Sequence, residues 1–103
     1  MGGVIFLPDG RDWSVSSSVF AWVVETLADR AQDPGLAGHL RTIADHNLGS
    51  LALEDVPPWQ RAELGALIRQ LPWIARAALP VTSSRDTVVA QISELADLVE
   101  QQG

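Results

Sequence analysis

Hydrophobic and polar positions along this chain change period several times, and each change marks an element. Val4–Leu7 is a short apolar, partly β-branched run, closed by the turn residues Pro8-Asp9-Gly10-Arg11-Asp12. Trp13 and Val15 then alternate with Ser14 and Ser16, the period of a strand buried on one side. Together these predict an N-terminal β-hairpin. A two-stranded hairpin is barely stable alone, so it must pack on other elements.

Ser16-Ser17-Ser18 offer hydroxyl acceptors for the orphan N–H groups of a helix start. From Val19 to about Ala31, Phe20, Val23, Val24, Leu27 and Ala31 share one face at about 100° per residue. Asp33-Pro34 is a second start signal, a side-chain cap followed by a residue of fixed φ. Leu36, Leu40, Ile43 and Asn47 follow at helical spacing, with Gly49 as the stop. Leu51 and Leu53 alternate with polar or small residues, which gives either a short third strand near 50–54 or an extended connector. Pro57-Pro58 opens a third helix carrying Leu64, Leu67, Ile68 and Leu71. Pro72 removes one helical hydrogen bond and predicts a kink or restart, with the end near Leu79. Ser83 or Ser84 caps a fourth helix striped by Val88, Ile92, Leu95 and Val99.

The expectation is a mainly α (α+β) fold, about four helices packed with a small N-terminal β-hairpin, in one globular domain over residues 1–103. Phe20, Leu27, Leu40, Ile43, Leu64, Ile68, Val88, Ile92 and Leu95 sit at the centres of the stripes and form the expected core. No internal repeat or low-complexity tract interrupts this pattern.

Some residues disobey the stripes. Trp22 falls nearly opposite Phe20 and Leu27, among Glu25, Thr26 and Asp29. Either a neighbouring element covers it, or it is an aromatic anchor ringed by carboxylates at a protein interface. The third helix has the same anomaly. Opposite its leucine stripe lie Trp59, Ala62, Ala66 and, if the helix runs on through Pro72, Trp73 and Ala77. Two apolar faces most simply predict a central helix packed on both sides; the alternative is an exposed partner or self-association face. Arg61, Arg69 and Arg76 give residues 61–80 a charge of +2 while the rest of the chain carries −8. Pairing with carboxylates on adjacent helices is the expected use of these arginines.

Composition then narrows the function. Thirteen acidic residues against seven basic ones, all arginine, give a net charge of −6. That balance disfavours nucleic acid and anionic membrane surfaces. The longest apolar runs are too short to span a bilayer, and the first residues lack the basic segment of a secretory signal, so a cytoplasmic location is expected. The absence of cysteine excludes disulfides, thiolate metal sites and cysteine nucleophiles, and the absence of lysine excludes phosphate loops of the Gly-Lys type and Schiff bases. His39 and His46 are seven residues apart, about 10 Å along one helix, too far to share an ion. The serine clusters are explained as caps, and no Gly-x-Ser-x-Gly elbow exists. No metal, no cofactor and no enzymatic activity are expected.

Two stretches carry a family likeness. One is Leu7-Pro8-Asp9-Gly10-Arg11-Asp12-Trp13-Ser14-Val15, running into Phe20-Ala21-Trp22-Val23-Val24-Glu25-Thr26-Leu27. The other is Leu51-Ala52-Leu53-Glu54-Asp55-Val56-Pro57-Pro58-Trp59-Gln60-Arg61-Ala62-Glu63-Leu64. In a small, acidic domain free of cysteine and lysine, they resemble the bacterial immunity proteins of polymorphic or contact-dependent toxin systems. The resemblance implies an inhibitor that neutralises a toxin by direct binding, its acidic charge steering it toward a basic partner. The residues expected at the contact are Trp22, Glu25, Asp29, Glu54, Asp55 and Trp59. The alternative is a helical adaptor that forms a homodimer through the tryptophan face of the third helix.

Overall fold

The computed structural model describes residues 2–46, 48–79 and 83–101. Strand β1 (Gly2–Phe6) and strand β2 (Asp12–Ser16) pair antiparallel, with Ile5 opposite Trp13 and Gly3 opposite Val15. All four of these residues are buried, so the period-two pattern lays one face of the hairpin on the core. The turn closes through Leu7 N–H to Arg11 O (2.8 Å) and Gly10 N–H to Leu7 O (3.1 Å). Gly10 sits at φ 92°, a left-handed conformation that glycine adopts without a Cβ clash. A third strand, β3 (Ser50–Ala52), joins β1 in parallel, so β1 is the middle strand. The strand stops short of residue 54, because Leu53–Asp55 turn into one turn of 3₁₀-helix.

Helix α1 (Ser17–Arg30) is capped by the Ser16 hydroxyl, which accepts from Val19 N–H at 3.4 Å. Helix α2 (Pro34–Asp45) is capped by Asp33, whose carboxylate accepts from Gly35 N–H at 3.1 Å. It ends at His46, earlier than the glycine stop expected from the sequence. Gly49, at φ 75°, instead turns the chain into β3; Asn47 lies outside the described residues.

Helix α3 (Pro58–Ala78) runs unbroken through Pro72, where the sequence predicts a kink or restart. The missing N–H removes one hydrogen bond. Leu64, Ile68 and Leu71 before the proline and Ile74 and Ala75 after it are all buried, so the helix continues across Pro72 with one packed face and does not restart there. Helix α4 (Ser83–Glu100) packs along α3. Both serines expected as its caps fall inside the helix, and the residue preceding it lies outside the described residues. Its buried face is Val89, Ile92, Leu95, Ala96 and Val99. Val88 is only partly buried, so the stripe is turned by one residue from the expected phase: Val89 continues the i, i+3, i+7 row of Ile92 and Ala96, and Val88 falls at its edge.

The remaining expected core residues, Phe20, Leu27, Leu40, Ile43, Leu64, Ile68, Ile92 and Leu95, are buried. They join Ile5, Trp13, Val15 and Leu51 from the inner sheet face in one cluster. Helix α1, not α3, holds the middle of the structure, touching α2, α3 and the strands β1 and β2. That placement leaves α3 covered on one side only.

Candidate functional site

Because α3 packs by one side, its other side reaches solvent. Trp59 is 72% exposed and Trp73 is 73% exposed, the two most exposed large apolar side chains among the described residues. They are fourteen residues apart, about 21 Å along the axis and about 40° apart around it. Between and beside them run Ala62, half-buried Ala66, Gln70 and Ala77. The result is a stripe of two indoles and three alanines with the 3–4 spacing of a helix-packing seam, and no element of the described structure lies on it. The sequence-based expectation that α3 would be packed on both sides is therefore overturned. Among the described residues, the elements packed on α3 cover its Leu64/Ile68/Leu71 side and leave the Trp59/Trp73 side exposed.

Arg69 and Arg76 flank this stripe, and both are exposed. Neither makes an ion pair among the described residues, where the side-chain pairs are Arg11–Asp9 at 3.1 Å and Arg41–Asp29 at 2.6 Å. The expected pairing of Arg61 with a carboxylate also fails. Its guanidinium donates instead to the carbonyls of Leu53 (3.1 Å), Glu54 (3.4 Å) and Val56 (3.0 Å). The 3₁₀ turn ahead of α3 already gives the Leu53 carbonyl the Val56 N–H (3.1 Å); Arg61 adds a second donor there and forks onto the Glu54 and Val56 carbonyls. Glu63 does a similar service, accepting from Gln32 N–H (2.8 Å) and Asp33 N–H (3.2 Å) at the entry to α2. These two side chains fix the start of α3 against its neighbours.

Beside the stripe, a groove of about 280 Å³ opens between α3, the end of α4 and the hairpin turn. Pro8, Leu53, Pro58, Leu64 and Val99 give it apolar walls, with Ala62, Gly65, Arg61 and Arg69 along its rim. No local sequence signal points to it, since its walls come from opposite ends of the chain.

The six residues expected at a contact fall in two groups on different elements. Glu54, Asp55 and Trp59 are exposed and lie within six consecutive positions at the head of α3. Trp22, Glu25 and Asp29 lie on α1. Trp22 is half-buried and packs against the edge of the core, Glu25 is exposed, and Asp29 is held by Arg41. Trp73 completes the indole pair on the face that the homodimer alternative uses, and its place there depends on α3 continuing through Pro72.

His39 and His46 are exposed, and Nδ1–H of His46 donates to the Thr42 carbonyl at 3.0 Å. Among the described residues no group of three or more potential ligand side chains is arranged to hold a metal. No described helix is long and apolar enough to cross a membrane. No protein-family model, curated protein or solved structure matches the chain.

Proposed function

We propose that this domain acts by binding another protein, with the outward face of α3 as its contact surface. One observation carries the reading: two tryptophans, each more than seven-tenths exposed, share one face of one helix. Single exposed apolar residues are ordinary, but paired indoles with flanking arginines match the composition of interface centres. Gln70 lies between the two rings and is the place to trap whatever docks there. A photo-crosslinking residue at Gln70, in the chain expressed in its native host, should give a discrete adduct that disappears in Trp59→Ala/Trp73→Ala. Adducts from exposed Glu94 on α4 but none from Gln70 would count against the reading.

The toxin-neutralising form of this function has its own support. Glu54 and Asp55 are exposed, carry no ion pair among the described residues, and stand immediately ahead of Trp59. Carboxylates beside an aromatic anchor suit a basic toxin domain met in the cytoplasm, the acids raising the association rate and the indole slowing release. Glu54→Lys/Asp55→Lys should then slow association with such a toxin and flatten its salt dependence. An unchanged rate would remove these two residues from the contact.

A further inference from the structure

We infer that the occupant of the α3 face is a second copy of this chain, bound antiparallel across a two-fold axis. The inference rests on the reading of this face as a protein contact and names its partner. Three observations converge on it.

The first is self-complementary shape. A two-fold interface must match each bump with a hollow on the same surface. Residues 62 and 73 are centred midway between Leu67 and Ile68, and residues 59 and 77 half a residue further on, at Ile68, so the two pairs agree to within about 1 Å along the axis. One antiparallel register therefore sets Trp73 of each copy over Ala62 of the other and Trp59 over Ala77, large against small at both ends. Ala62 also lines the groove with Pro58 and Gly65, so the Trp73 indole enters a recess rather than meeting a flat wall. The same register brings Arg76 beside Trp59, a cation against an indole face.

The second is charge. Glu54 and Asp55 lead into α3, while Arg69 and Arg76 occupy its far half, all four exposed. Antiparallel pairing lays the acidic lead of one copy on the basic end of the other. A parallel pair would set like charges together at both ends.

The third is area. Aromatic side chains bring roughly 150–250 Å² each when buried, so two indoles about three-quarters exposed offer roughly 200–350 Å² per protomer. The alanines, Gln70 and the arginine stems carry this toward the roughly 600 Å² per partner of small specific interfaces. An interface of this size belongs with weak, reversible associations.

Sedimentation equilibrium of the pure full chain from about 5 to about 500 μM tests this. The mass should climb from 11.1 kDa toward twice that value. Trp73→Ala and Ala62→Glu should each weaken association by at least about tenfold, with melting temperatures within about 4 °C of wild type, since both sites are exposed. Raising the salt to about 1 M should weaken the antiparallel dimer by screening its end charges. Tighter association at high salt would refute that orientation. A dimer that survives both substitutions would place the contact elsewhere. A wild-type chain that stays at 11.1 kDa throughout refutes the second copy; if Gln70 still crosslinks to another protein, the protein-binding function stands without it.

Discussion

Four tryptophans occupy this chain, and the structure assigns them opposite energetic roles, which makes Trp13 the most informative residue to perturb. It is 3% exposed on β2, and its indole Nε1–H donates to the Gln91 carbonyl on α4 at 2.7 Å. This bond ties the hairpin to the last helix, 78 residues away in sequence. Trp13→Phe keeps an aromatic ring in the core but deletes the donor and part of the volume. Losing a buried hydrogen bond and opening a small void costs about 1–3 kcal/mol. For a domain near 100 residues each kcal/mol lowers the melting temperature by about 4–8 °C, so a drop of roughly 5–20 °C is expected. Trp13→Ala should cost about 3–5 kcal/mol, close to the whole stability of a domain at the low end of the usual range. Trp59→Ala and Trp73→Ala should stay within about 0.5 kcal/mol at concentrations too low for self-association. Thermal unfolding followed by far-UV circular dichroism reads all four variants. If Trp13→Phe melts with wild type, or Trp59→Ala falls as far as Trp13→Ala, the packing argument is refuted.

Leu64→Ala and Ile92→Ala delete fully buried side chains on the facing helices α3 and α4, and each should cost about 2–5 kcal/mol in denaturant unfolding. Arg61→Met keeps the stem but removes the guanidinium donor from the Leu53, Glu54 and Val56 carbonyls, of which Leu53's retains the Val56 N–H. It should lose about 1–3 kcal/mol and speed amide exchange across residues 53–56. Gly3→Ala should destabilise by more than about 2 kcal/mol, because a Cβ there would overlap the Phe20 ring where β1 crosses the start of α1. A stable, normally folded Gly3→Ala chain would show that β1 lies further from α1 than described.

Local chemistry made much of this molecule legible in its sequence. Alternation around Trp13 and Val15 defined a strand, the Asp33-Pro34 pair defined a helix start, and the stripes on α1, α2 and α3 chose the core residues, because period and capping are properties of consecutive positions. The tertiary structure decided the rest. Helix α3 carries two apolar faces, and periodicity cannot rank them. Which one is buried depends on how much surface the other elements can cover, and α1 took the central place. The course of the chain through Pro72 was likewise settled by packing on both sides of the proline, and only that continuity sets Trp73 beside Trp59. Arg61 found the carbonyls of Leu53, Glu54 and Val56 rather than a carboxylate because the 3₁₀ turn gathers them beside the start of α3, a grouping that exists only once the chain has folded. The sequence by itself determined which residues avoid water; the fold determined which of them still meet it, because burial is shared among elements and, among the described residues, none covers the Trp59/Trp73 side of α3.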